Sequence, residues 1–384
     1  MPLDIRKREG FALATAIVAI VLIGLLIAAS FFASFQAYRT GRNTLYQERA
    51  LAIAEYGQGE VLRTFDVTAA RAMKVGDVVT RTVNVHGGGN ASLDITKLNM
   101  LTFWVVSQGR AAAGTDMDAR RRTGMLIRLQ MPELRIQGAL TTASTTNVTG
   151  TGSMNGNDLN PAGWQCDELG PPRAGVVNDV PADVTSGGTC SGFSCVTGTP
   201  QVAQDPLAGD PSTYDEFGGI SYDSLAALAS ITIPYTTVLG PLAPAVSGGV
   251  CNKAVVTNWG DILRNAVTPG PCETYFPIIH VTGTGEFRIN SGTGQGILLV
   301  DGSLRMMGNV EFYGPIIIKG SFSTQGTGNK VFGGVMAGNQ GCSAATCNSV
   351  SGNAHIQFSR CSLLSALIAQ ARPVLATRSW ADMF

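Results

Sequence analysis

The chain has 384 residues, of which 45% are hydrophobic and only 14% charged; 27 basic and 27 acidic residues give a net charge of zero. That length accommodates two or more modules and a buried core. The balanced charge, with no basic stripe and no acidic tail, excludes nucleic acid as an expected partner and gives no sign of a strongly basic one. The 47 glycines and eight cysteines, the latter all from Cys166 onward, fit an exported, β-rich protein rather than a cytosolic enzyme.

The first element is a membrane pattern. Arg6-Lys7-Arg8-Glu9-Gly10 leads into the run Phe11–Phe35, which contains no Asp, Glu, Lys, Arg, His or Pro. As an α-helix this run spans roughly 37 Å, enough to cross a bilayer core of about 30 Å with some tilt. A cleaved secretory signal has an apolar core of only about 7–15 residues. The basic residues on its N-terminal side predict a cytoplasmic N-terminus and an exported remainder, a single-pass topology. From Gln36 to Phe65 the pattern continues as an amphipathic helix, in which Tyr38, Leu45, Leu51, Ile53, Tyr56, Val61, Leu62 and Phe65 interleave with Arg39, Arg42, Glu48, Arg49, Glu55 and Arg63.

The Gly10-Phe11 junction resembles the processing site of type IV prepilins, in which a short basic leader ends in Gly. The resemblance implies a leader over residues 1–10, cleavage between Gly10 and Phe11 by prepilin peptidase on the cytoplasmic side, and methylation of the new amine on Phe11. It also implies that the helix over 11–66 stays in the inner membrane and then packs against other pilin or pseudopilin subunits. The family's major subunits carry Glu at the fifth mature position, where this chain has Thr15. An unpaired carboxylate is costly in a membrane, so Thr15 points to a subunit that does not make that pairing. The stretch from Arg42-Asn43-Thr44-Leu45 through Arg49-Ala50-Leu51-Ala52-Ile53-Ala54-Glu55-Tyr56-Gly57-Gln58 resembles the PilX-type members. A generic single-span anchor with a stalk is the plainer alternative.

A small β module is expected over residues 67–135. Asp77–Val85 is rich in β-branched residues, Gly87-Gly88-Gly89-Asn90 forms a turn, and Leu101–Ser107 and Met125–Met131 are further strand candidates. Arg120-Arg121-Arg122 reads as a solvated face or the start of a strand. Residues 136–384 form the remaining body. Within it Val281-Thr282-Gly283, Val300-Asp301-Gly302, Ile318-Lys319-Gly320 and Met336-Ala337-Gly338 recur about every 18–19 residues, each after an apolar run, which is the signature of a β-solenoid-like stack with glycine at the corners. Gly308-Asn309 and Gly328-Asn329 mark a second corner. Gly296–Gly302 and Phe312-Tyr313-Gly314 are also similar to C-terminal segments of PilX-like proteins. Ala139–Thr142 through Asn147–Gly152 reads as an early rung. Residues 160–275 read as an irregular Cys-rich insertion with one helical candidate, Tyr222–Ala229, and Cys361–Ala371 as a capping helix stopped by Pro373. The expected fold class is thus mixed but mostly β: a long N-terminal transmembrane and amphipathic helix, a small β module, and a solenoid-like body with an insertion and a C-terminal cap.

The even cysteine count in an exported chain favours disulfides over zinc. The candidate pairs are Cys190 with Cys195, Cys251 with Cys272, and Cys342 with Cys347, leaving Cys361 to pair with Cys166 or remain free. The three histidines, His86, His280 and His355, lie in no hydrolase or metalloprotease motif. A polysaccharide-active β-helix enzyme requires paired carboxylates or a calcium cluster. The recognisable rungs offer only Glu286, Asp301 and Glu311, and Asp205, Asp210, Asp215 and Glu216 read as a solvated acidic loop. No catalytic residue, metal or cofactor is expected. The sequence reading is a minor pilin-like component of a type IV pilus or pseudopilus that serves in assembly priming, at the tip or in adhesion. A generic envelope adhesin and a polysaccharide-active enzyme are the alternatives.

Overall fold

The computed structural model describes all residues except 1–8, 86–87, 116, 165, 167–168, 263–269, 378 and 384. The chain divides into two units: Met1–Arg128 with Pro373–Phe384, and Leu129–Arg372. The fold is mostly β with one long N-terminal helix.

In the first unit, helix α1 runs unbroken through Glu9–Arg63, 55 residues. No proline interrupts it, and Ala, Leu and Ile dominate its first half, so backbone hydrogen bonding is continuous. Its second half lies on an antiparallel sheet of β1 (Val78–Asn84), β2 (Asn90–Lys97), β3 (Thr102–Ala111) and β4 (Ala119–Gln130). Strict alternation in β2 and β3 sends Ala91, Leu93, Ile95, Phe103 and Val105 to the helix side, all buried. Beyond β4 the sheet is extended by Arg372–Leu375 and Ala381–Met383. The final residues, expected with the β body, therefore belong with the first unit.

In the second unit the strands are parallel and stacked by repeat, apart from the short antiparallel pair Val246–Ser247 with Val250–Cys251. Val281 pairs with Val300, Val300 with Ile318, and Ile318 with Ala337. The first two steps follow the sequence repeat. The third is shifted by one residue, because Ala337 rather than Met336 is the partner of Ile318. A second parallel sheet stacks Phe287, Leu304 and Phe322 in register. Successive apolar rows cover one another, so Leu298, Leu299, Ile316, Ile317 and Val335 are fully buried, each stabilising by about 1.5–3 kcal/mol.

The corner glycines have two different causes. Gly302 and Gly320 keep ordinary φ. A Cβ at Gly302 would overlap the Gly285 carbonyl, and one at Gly320 would fall 2.6 Å from the Gly302 carbonyl oxygen, so close rung spacing selects them. Positive φ is required instead at the bend column Gly296, Gly314 and Gly333, at 120°, 135° and 143°.

The stretch 160–275, expected as an irregular insertion, contributes strands to the same stack. Ala174–Asn178 pairs with Gly138–Thr142, Val202–Gln204 with Ala174–Asn178, and Ile231–Pro234 with Ile278–Thr282. Long loops between these short strands hide the period. The early rung expected at Ala139–Thr142 pairs with the end of the repeat array, Leu140 opposite Val335. The helical candidate Tyr222–Ala229 is helical over Tyr222–Ala226, and the C-terminal helix covers Arg360–Ala369.

Candidate functional site

The candidate site is α1 and the surface that holds it. Gly10 and Phe11 lie in the first turns of α1, and the leader residues Met1–Arg8 lie outside the described residues. Thr15 is exposed on the same helix. From Leu13 to Phe35 every residue is exposed, with Leu26 at 71% and Phe31 at 74%. An uncharged helix that is apolar on all sides has no stable place in water, and this one is long enough to cross a bilayer.

The apolar stretch ends in a collar that sequence reading did not identify. Arg39 lies 4.5 Å from the Phe35 ring centroid, and Arg42 and Arg49 each lie 5.6 Å from those of Tyr38 and Tyr46. The pairs fall at helical i, i+3 and i, i+4 spacing, which places each guanidinium over a ring on its own face. The spacing of aromatic and arginine residues was the available signal.

Past the collar α1 is gripped by the sheet. The buried stripe is Ala50, Ile53, Ala54, Gln58 and Val61, a 3.6-residue period in which two alanines mark the closest approach. Leu45 and Tyr56, expected on the apolar face, are 50% and 52% exposed. The reason is close approach. A Cβ at Gly109 of β3 would overlap the Ala50 carbonyl oxygen, and one at Gly57 would fall 2.6 Å from the Ala91 Cβ. At Ala50, Ala54 and Gly57 only Ala or Gly fits between helix and strand, while Ile53, Gln58 and Val61 fill the seat beside them.

The cysteines form four bonds: Cys190–Cys195, Cys251–Cys272, Cys342–Cys347 and Cys166–Cys361, with Cα separations of 5.0, 4.9, 5.9 and 5.8 Å. Those separations lie in the ordinary range for a disulfide. The last bond joins the early strands to the C-terminal helix.

The polar residues singled out in the sequence are taken up separately. Asp301 Oδ1 lies 2.9 Å from His280 Nε2 and accepts the Tyr222 hydroxyl at 3.1 Å. Burial, and then the Asp301 charge, push the Tyr222 phenol well above its ordinary range. Lys319 sits 3.2 Å from Asp215 and 4.2 Å from the Tyr222 ring centroid. Glu311 instead pairs with Lys330 at 2.5 Å, at the opposite end of the strand Val310–Ile318 from Lys319. Asp301 and Glu311 are therefore not brought together as a carboxylate pair. Glu286 pairs with Arg288 at 2.7 Å. Asp205 accepts the Leu207 N–H at 3.0 Å and Asp210 the Ser212 N–H at 2.9 Å, which are turn and cap roles. The backbone bond from Ser212 holds the Asp210 carboxyl below its usual value. His355 Nδ1 lies 2.8 Å from Ser153 Oγ, and His86 lies outside the described residues. In the arginine run, Arg121 pairs with Asp382 at 2.7 Å, while Arg120 and Arg122 are exposed.

No protein-family model matches the chain, and no curated protein does. Among solved structures the chain is similar to the competence-associated pilin ComZ from Thermus thermophilus, at 13% identity over 88% of this chain and 97% of that one. The TM-score is 0.27, a likeness too slight to bear on function.

Proposed function

We propose that the chain is a minor pilin-like subunit of a type IV pilus or pseudopilus, held in the inner membrane before assembly by its N-terminal helix. One observation carries this reading: α1 is a single helix of two kinds. Its first half is apolar on every side and exposed, and its second half is seated in an antiparallel sheet through Ala50, Ala54 and Gly57. An anchor that only tethers needs no rigid continuity between span and body; a subunit that inserts its span into a helical bundle does.

In this reading prepilin peptidase cuts between Gly10 and Phe11, and the Phe11 amine is methylated. Thr15 carries no charge for the neighbouring subunit's amine, which suits a terminal or priming position. The parallel stack is a β-solenoid that α1 carries outward, for surface presentation or adhesion. The body is non-enzymatic, with Asp301 and Glu311 each serving a local ion pair or hydrogen bond. Mass spectrometry of the mature N-terminus tests the proposal. A chain beginning at N-methylated Phe11 is expected, and one beginning at an intact Met1 sinks it.

A further inference from the structure

The face of the β1–β4 sheet turned away from α1 has an unusual centre. The even-numbered residues of β3 and β4 point there, and Trp104 stands directly opposite Leu126. The Trp104 ring reaches across Gly124. A Cβ on Gly124 would lie 2.5 Å from both Cη2 and Cζ2 of the indole and 3.4 Å from the Met383 Cε. Glycine at this position thus lets the indole settle against the sheet, with Leu126 and Met383 beside it. Trp104 and Leu126 are half-buried, so the platform is partly open to solvent.

Charge surrounds this platform on one strand. Arg122 and Arg128 lie on the same face of β4, both exposed, six positions or about 20 Å apart. Arg122 donates Nε–H to Gln108 Oε1 at 3.2 Å, which steadies its guanidinium without neutralising it. Among the described residues no carboxylate pairs with Arg122 or Arg128. Arg110 and Arg120, further along, are instead claimed by Asp118. The other acid on this face, Asp94, accepts the Thr80 hydroxyl at 2.8 Å.

We infer that this face binds an acidic polysaccharide, with a pyranose ring laid on Trp104 and carboxylates of flanking sugars on Arg122 and Arg128. Charge complementarity selects an anionic occupant. The single aromatic platform between two guanidinium groups suits a chain of sugar rings, whereas single-stranded nucleic acid calls for several aromatic rings to stack successive bases. Planar guanidinium groups hold carboxylates in two-pronged hydrogen bonds. The inference rests on the reading of the body as exported for surface presentation, and it names the partner class of that surface.

The test is titration calorimetry on the full chain in detergent micelles. The probes are alginate oligomers, neutral dextran oligomers and a thymidine oligonucleotide. Alginate is expected to bind, more weakly as salt rises, and dextran and the oligonucleotide are not. Trp104→Ala should weaken alginate binding about tenfold. The double variant Arg122→Gln, Arg128→Gln, which alters only exposed side chains, should weaken it comparably and flatten its salt dependence. Trp380→Ala, at an exposed ring elsewhere on the unit, should change nothing. The inference fails if alginate does not bind, or if dextran binds equally. It fails too if the oligonucleotide takes the site, if Trp104 instead drives self-association of the chain, or if the arginine variant retains full affinity. N-terminal processing and this binding are read by separate measurements, so either can fail alone.

Discussion

Gly109 of β3 lies directly beneath Ala50 of α1, with no room for even a methyl group between strand and helix. The grip on α1 is thus set by the absence of side chains. Gly109→Ala should force helix and sheet apart and cost about 1–3 kcal/mol by overpacking. Gly59, on the same helix, has nothing within 4 Å of an added Cβ. Gly59→Ala should be neutral or stabilise by up to about 1 kcal/mol through helix propensity. Urea midpoints of the two variants in micelles decide it, and equal effects would contradict the close-approach account.

The Cys166–Cys361 bond spans a sequence separation of 195, against 5 for Cys342–Cys347. Restriction of the unfolded chain grows with the loop closed. Replacing both Cys166 and Cys361 by Ser should therefore cost about 5 kcal/mol, and the same change at Cys342 and Cys347 about 2 kcal/mol. Denaturant unfolding of the two double variants measures the difference, and the reverse order would rule out this ranking.

Tyr214 and Tyr222 are both pushed up from the usual phenol value, chiefly by burial. A folded-state value above the unfolded one, near about 10, means that the native state holds its proton more tightly. Their contribution is complete below about pH 10 and declines as pH rises beyond it. Tyr222→Phe should lower stability at neutral pH by about 1 kcal/mol, through the lost bond to Asp301. It should also shrink the loss seen on going from pH 9 to 11. Unfolding midpoints across that range are the readout.

The hydrogen bond from Arg110, followed by its charge, holds the Asp118 carboxyl below its ordinary range. A depressed folded-state value contributes stability above about pH 4, and that contribution is lost as pH falls. Wild type and Arg110→Gln should differ in melting temperature at pH 6 and converge towards pH 3. A gap that persists unchanged at pH 3 would show that Arg110 acts by packing rather than by charge.

Sequence made α1 visible because an uncharged run followed by a mixed polar pattern has no other stable conformation. It also exposed the rungs around Val281, Val300 and Ile318, where one apolar strand and one glycine repeat at nearly constant spacing. β2 is not among the expected strands although Ala91, Leu93, Ile95 and Lys97 alternate with polar residues as a half-buried strand requires; the Lys in the fourth inward position weakens that signal. The strands Ala174–Asn178, Val202–Gln204 and Ile231–Pro234 were obscured by long loops, which change the spacing without changing the pairing. The shift at Ala337 arises from one extra residue after the bend glycine Gly314, which no composition rule marks. Hydrophobic size is an incomplete guide to the seat of α1, because at Ala50, Ala54 and Gly57 close approach rewards small size.

The pairing of Leu140 with Val335 sets an order of events. Synthesis delivers Leu140 long before its partner, so one edge of the early strands stays bare until residue 335 has emerged. Exposed strand edges invite chaperones, proteases and mispairing. Cys166 likewise must wait for Cys361, so their bond forms only after residue 361 has been delivered. A nascent chain that stops short of residue 361 keeps a free thiol at Cys166.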